Sequence, residues 1–313
     1  IALSLHPLLI GGNPFSVTAM YCLINYLENK WGVHFVMGGT GNLVHALVGL
    51  LQRNNGQICY NSEVARINVE DGEARGVTLL SGEKIDADIV VCNADAAWTY
   101  QNLLGASPRK RWTRGKLKRT RYSMGVFVWY FGTQCKYPDV PHHSMILGPR
   151  YKELLKDIFR RKRLSSDFSL YLHRPTATDA SMAPDGCDTF YALVPVPHLD
   201  AGIDWETLAP EFRDRIQARL ESTVLPGLSE NLVCSHYLTP KDFESRYNSY
   251  KGAGFGPEPV IWQSAWFRAH NRSEEVDNLY LVGASTHPGA GIPGVLTSAR
   301  VVTEGIPNAC ELV

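Results

Sequence analysis

Hydrophobic positions change their period several times along this chain, and each change marks an element. Leu43, Leu47, Leu50 and Leu51 recur at helical spacing between Gly38-Gly-Thr-Gly41 and Asn54-Asn-Gly56, which predicts a helix with a glycine start. From Gln57 to Val69 the pattern alternates as a strand does. Glu70-Asp-Gly72 reads as a turn, a second strand runs through Val77-Thr-Leu79, and Ser81-Gly82 turns the chain again. Asp86–Val91 closes this meander as a buried strand. Gly125–Phe131, Phe168–His173, Phe190–Val196 and Asn231–Leu238 are aromatic and β-branched strand-like runs, with a helix predicted around Glu211–Leu220. Such runs beside helices predict a mixed sheet.

Asn278–Ser298, NLYLVGASTHPGAGIPGVLTS, is the most informative segment. Asn278–Val282 reads as a buried strand. Gly283 to Gly294 then packs four glycines and two prolines into one tight loop, and a helical pattern starts at Val295. A strand, a glycine loop and a helix start together make an anion and cofactor cradle. Glycines let backbone approach a ligand, and the first helical N–H groups are unpaired and carry partial positive charge. Gly39-Thr-Gly41 is not read as a phosphate loop. A third glycine and a surrounding βαβ unit are missing, so it marks a helix start.

Composition narrows the class. At 313 residues, with 44% hydrophobic and 20% charged, the chain can bury one or two cores. The formal net charge is zero, so no bulk electrostatic partner is implied. The seven cysteines show no paired metal-ligand spacing, which fits buried thiols in a reducing compartment, and no metal site is expected. Residues 109–121 nevertheless hold eight Lys or Arg and no acid, and Arg160-Arg-Lys-Arg163 follows. No other feature supports a nucleic-acid partner. Docking on anionic lipid is the alternative to a plain solvated loop. The first 27 residues carry no Asp, Glu, Lys or Arg, but Pro7 and Gly11-Gly-Asn-Pro14 interrupt them. A membrane span needs roughly 20 continuous apolar residues. Met20, Leu23, Ile24 and Leu27 predict a buried or interfacial helix instead.

The 278–298 segment resembles the C-terminal signature of the bacterial and fungal phytoene desaturases, a family of FAD-dependent carotenoid desaturases. Leu9–Phe15, Trp31–Gly41, Phe168–His173, Tyr191–His198 and Gln263–Arg268 are similar to further family segments, in family order. The likeness fades only where Gly305-Ile-Pro307 interrupts the closing helix. It implies an α/β flavoprotein fold of the two-dinucleotide-binding-domain type. The FAD-binding domain would comprise residues 32–100 and 258–313, and a mixed-sheet substrate domain residues 1–31 and 101–257. Family members open with a strand and a G-x-G-x-x-G turn that this sequence lacks, and it starts at Ile1. The expectation is therefore a fragment without the N-terminal dinucleotide-binding motif, inactive alone and holding FAD weakly or not at all.

By the same resemblance Gly283, Ala284, Ser285, Thr286, Gly291, Ile292, Pro293, Gly294 and Val295 would contact the cofactor. Val64 would lie near its adenine, and Asn93-Ala-Asp95 would end the returning strand nearby. The implied reaction transfers hydride from phytoene to the flavin, towards neurosporene or lycopene. Oxygen or a quinone would be the electron acceptor, and the enzyme would be cytoplasmic and peripheral on the membrane. Alternatives are a carotenoid isomerase or ketolase of the same family, or a flavin-less lipid-binding remnant. His287, the only titratable residue of the loop, is the one weak catalytic candidate. His142-His143 reads as a surface turn with no further metal ligands, and His173 and His198 end apolar strands in family-like segments, as candidates for the tunnel mouth.

Overall fold

The protein is described by a computed structural model over residues 5–105 and 109–306. Its elements in chain order begin with α1 (Leu5–Leu9), α2 (Cys22–Trp31) and α3 (Thr40–Arg53). Then come β1 (Val64–Glu70), β2 (Glu73–Leu79), β3 (Lys84–Asp86), β4 (Val90–Cys92), α4 (Ala96–Trp98) and α5 (Arg114–Arg119). β5 (Gly125–Thr133), β6 (His143–Ile146), α6 (Tyr151–Lys156), β7 (Leu170–His173) and β8 (Asp188–Val196) follow. α7 (Trp205–Glu221), α8 (Leu228–Asn231), β9 (Leu232–Leu238), α9 (Pro240–Tyr247), β10 (Leu279–Leu281) and α10 (Ile292–Gly305) complete the series. Two compact units result, one of residues 1–27, 59–124 and 243–313, the other of residues 28–58 and 125–242. Compactness thus cuts the chain elsewhere than the expected domain boundaries. The stretch through α3 joins the second unit, where the Gly38 N–H donates to Asp179 at 2.5 Å and Phe35 meets His142 edge-on.

In the first unit β1, β2 and β3 form an antiparallel meander, and β4 pairs in parallel with β10. The hairpin between β1 and β2 turns on Asp71 and Gly72, both with positive φ, as a tight two-residue hairpin requires. The expected strand 57–69 is regular only from Val64, because β2 reaches no further than Leu79 opposite it. The single strand expected over 86–91 is instead two. β3 pairs with β2, whereas β4 pairs with β10 in a different sheet. Ile67, Ala74, Cys92, Tyr100, Leu117 and Leu281 are among the residues of this unit's core.

In the second unit five strands lie in the order β6-β7-β8-β5-β9. Every pairing in this sheet is antiparallel, a correction to the mixed sheet expected from sequence. The reason is topological. β8 and β9 run the same way and are joined through α7, as a parallel pair would be, but β5 lies between them and opposes both. β8 alternates buried and half-buried positions along its whole length, and β5 is buried on both faces except at Tyr130. Against them α7 buries Trp205, Ala209, Phe212, Ile216 and Leu220, a single stripe at helical spacing. Neither α2 nor α3 buries any residue, so of the buried or interfacial helix expected around Met20–Leu27 the buried alternative is excluded; Met20 and Leu23 are half exposed. α10 ends at Gly305 as expected, and Pro307 lies outside the described residues.

Two ion networks hold the second unit. Asp157 accepts from Arg161 Nη1 at 2.7 Å and Arg163 Nε at 2.8 Å. Burial opposes its ionisation, but these arginines outweigh burial and hold its carboxyl at about 2. Lys162 pairs with Asp200. The second basic cluster is therefore spent largely on internal acids. Asp188, at the start of β8, is wholly buried and receives Arg174 Nε at 2.9 Å, Tyr137 N–H at 2.7 Å and Thr176 Oγ1 at 2.6 Å. Removing one partner of such a pair strands a charge in low dielectric. Asp188→Ala is expected to lower unfolding stability by about 3–5 kcal/mol, read from denaturant midpoints. A loss under ~1 kcal/mol would show that water reaches the pair.

Candidate functional site

The site is built where β4 and β10 end together. Val90, Val91 and Cys92 are in register with Leu279, Tyr280 and Leu281, and the Val282 N–H donates to the Cys92 carbonyl at 3.0 Å. Beyond β10 the chain turns at Gly283, whose φ is +106°. A Cβ there would stand 2.5 Å from Asn93 Oδ1, so glycine is required on two counts. The Gly283 N–H donates to Ser298 Oγ at 2.9 Å, tying the loop to α10. Ser285 Oγ accepts the Ala96 N–H at 2.8 Å, tying it to the start of α4.

Arg268 holds this loop from within. Its guanidinium is buried and donates to the Ala284 carbonyl at 2.7 Å and the Thr286 carbonyl at 3.1 Å. Asn271 Nδ2 reaches the Leu281 and His287 carbonyls at 3.1 and 2.9 Å. These carbonyls lie away from water, and unpaired each would cost ~1–3 kcal/mol. Gly289 and Gly294 then cross closely, since a Cβ on Gly294 would meet the Gly289 carbonyl at 2.5 Å. α10 starts at once, one residue earlier than Pro293 and three earlier than expected, with Gly291 as an N-cap at φ +99° and no side-chain cap. Gly291, Ile292 and Pro293 are exposed. An uncapped, solvent-facing helix start beside closely approaching glycine backbone fits an anionic or electron-accepting ring edge.

The expected cofactor residues thus divide by position. Ser285 and Thr286 spend their hydroxyls inside the protein, Thr286 Oγ1 on the Gly283 carbonyl at 2.9 Å. With Gly283 they are buried framework, while Gly291 to Val295 present the open edge and Ala284 is half-buried between. Val64 lies elsewhere in the unit, opening β1 opposite Leu79. His287 has a buried Nδ1 with no hydrogen-bond partner and lines a cavity of about 630 Å³ with Trp266, Asn271 and Tyr280. A second cavity of about 270 Å³ is lined by Asp95, Lys116, Trp262, Phe267, Arg268 and Ser285.

Arg268 and the capping role of Asp95 were missed from sequence. The one available signal was a lone arginine at the end of the apolar Gln263–Arg268 segment. Asp95 Oδ1 caps α4, accepting from Ala97 and Trp98 at 2.9 and 3.1 Å. Burial pushes its carboxyl up to about 6, although the two cap bonds and Arg268 pull the other way. The His142-His143 pair, expected as a surface turn, stands at the start of β6. The fold sets His173 beside it as the register partner of His143.

The chain belongs to the flavin containing amine oxidoreductase family, whose model matches residues 2–306. It is 51% identical to the neurosporene-forming phytoene desaturase of Cereibacter sphaeroides, over 99% of this chain and 60% of that protein. It is 49% identical to the neurosporene-forming enzyme of Rhodobacter capsulatus, over 98% of the chain and 60% of the relative. The lycopene-forming enzyme of Pantoea ananas is 46% identical, over 96% and 61%. The chain therefore spans about 60% of the length of these relatives. Among solved structures, an oxidoreductase from Methanosarcina mazei superposes with a TM-score of 0.67 at 17% identity, covering 97% of this chain and 63% of that one. A putrescine oxidase variant gives 0.58 at 12%, again over 97% and 63%. These likenesses establish the flavoprotein fold.

Asp95 generates a pH prediction. Its folded carboxyl titrates near 6 against an ordinary value of 3.8, so the fold favours the neutral acid. The stability attached to that preference is complete below about pH 4 and is lost as pH rises through 6, by up to about 3 kcal/mol. Asp95→Asn, which keeps the capping oxygen, should flatten this slope and match or exceed the parent above pH 6. An unchanged slope in denaturant melts across pH 4–7 would exclude Asp95 as its source.

Proposed function

We propose that this chain acts as an FAD-dependent carotenoid desaturase that dehydrogenates phytoene towards neurosporene or lycopene. The observation that carries the reading is 46–51% identity, over nearly the whole chain, to enzymes forming those two products. The reaction removes a hydride from one carbon and a proton from its neighbour, leaving a new C=C bond. Bound FAD supplies the two-electron acceptor, and oxygen or a quinone takes the electrons on. Gly291, Ile292, Pro293, Gly294 and Val295 would hold the ring, the α10 start placing its positive end where negative charge develops. Gly283, Ala284, Ser285 and Thr286 shape the loop beneath, and Val64 would serve the adenine end. A polyene offers no polar handle, so apolar surface must position it.

The same reading includes peripheral attachment to a cytoplasmic membrane face, where such a substrate is dissolved. Among the described residues no helix is long and apolar enough to cross a membrane. In the first unit the Glu275 carboxylate accepts the N–H groups of Lys110, Arg111 and Trp112, which fixes the path of the basic stretch. Lys116 and Arg119 share the 270 Å³ cavity with Trp262 and Phe267, each 59% exposed. Basic and exposed aromatic side chains side by side suit a headgroup boundary.

The reaction is tested with phytoene-loaded liposomes, FAD and the chain, alone and joined to the portion of the Cereibacter sphaeroides relative that it does not match. New visible polyene bands in the extracted pigment are expected from the joined protein. A flavin-loaded protein leaving the spectrum flat would reject phytoene and favour isomerisation or another lipid. For the membrane, each basic group near the surface contributes about 1 kcal/mol. Replacing Arg114, Lys118 and Arg119 by Gln should then weaken flotation with anionic vesicles about 100-fold. Unchanged flotation would reject this docking face.

A further inference from the structure

Three histidines meet in the second unit, which contains none of the residues assigned to the cofactor. His143 and His173 are direct partners across β6 and β7. His142 precedes them, its carbonyl accepting the Arg174 N–H at 2.9 Å. The ring centroids of His142 lie 4.4 Å from His143 and 4.6 Å from His173, and one ring nitrogen from each residue lies within 4.8 Å of the other two. Among the described residues this is the only such grouping of His, Cys, Asp or Glu. A four-coordinate ion bound at about 2.0–2.1 Å wants nitrogens roughly 3.4 Å apart. A rotation that brings the rings together by little more than ~1 Å is open to His143, which is exposed at a strand end.

The surroundings of the rings point the same way. Nδ1 of His142 is engaged by Thr178 Oγ1 at 2.5 Å, and Nδ1 of His143 and of His173 by the Tyr171 hydroxyl at 2.6 and 3.0 Å. Metal-binding imidazoles are oriented in this way, one nitrogen anchored and the other left to ligate. Nε2 of His142 is buried and has no hydrogen-bond partner. A buried polar atom left so calls for a ligand or a reason. Burial, then the neighbouring imidazoles, lower His173 to about 4. Burial and His143 lower His142, and burial lowers His143 against the opposing pull of Glu28. Each of these shifts favours the neutral ring, the form in which imidazole binds metal without first losing a proton.

We propose that His142, His143 and His173 form a binding site for a divalent transition-metal ion of the zinc type, with the fourth position open to water. Three neutral nitrogen donors suit zinc, cobalt, nickel or copper and are a poor set for magnesium or calcium, which want oxygen. The ion would fasten β6, which has a strand neighbour on one side only, to β7. The test is a titration of the metal-free full chain with Co²⁺, followed by visible absorbance and back-titration with Zn²⁺. One equivalent should bind with the spectrum of a four-coordinate ion, and Zn²⁺ should displace it. His143→Gln, at an exposed position, and His173→Gln should each weaken binding at least tenfold, with near-ultraviolet circular dichroism unchanged for the first. Replacing the exposed Cys22, Cys59 and Cys234 by Ser should leave affinity as it was. No stoichiometric Co²⁺, or binding that survives both histidine replacements, would overturn the site.

Discussion

The first unit depends on one short pairing, the parallel contact between β4 and β10. Parallel strands cannot be joined by a tight turn, and here nearly two hundred residues of sequence number separate Val90 from its partner Leu279. Because the strands run together, both carboxyl ends arrive at one place. α4 leaves from one and the glycine-rich loop from the other, and Ser285 bonds the two at the Ala96 N–H. In open α/β folds ligands settle beyond the carboxyl ends of parallel strands. The position of the candidate site follows from that rule and from the register of three residue pairs.

What the pairing cannot supply is support for the loop itself. A run of glycines and prolines makes few internal backbone bonds, and its carbonyls still need donors once buried. Arg268 and Asn271 provide them from the segment just before β10. In the second unit Arg174 plays a comparable part, bonding the Val140 carbonyl as well as Asp188. In both units a buried arginine closes polar backbone that regular secondary structure leaves open. The positive charge is tolerated in each case because several oxygens surround it.

The helical stripe of α7, the Asp71-Gly72 turn and the strand–loop–helix order of residues 278–305 could be read from the chain because each depends on near neighbours. Periodicity, positive-φ residues and helix starts are local properties. The family resemblance was legible for a similar reason, since the glycine loop must keep particular residues wherever the backbone is crowded. The split of residues 84–92 between two sheets was not legible, because each half answers to a different distant partner. The same holds for the antiparallel sheet, in which β5 lies between β8 and β9 and opposes both.

Residue order alone therefore established the class of fold and pointed to Gly283–Val295 as the candidate cradle. Tertiary structure decided which of those cradle residues face outward, that Arg268 is their internal support, and that Asp95 is held as a weakened acid. It also placed His173 beside His142 and His143, thirty positions earlier in the chain. Strand register is a long-range choice, and a one-residue slip would turn every side chain to the other face. Pairings of that kind exist only once the whole unit has folded, which is why no local pattern announces them.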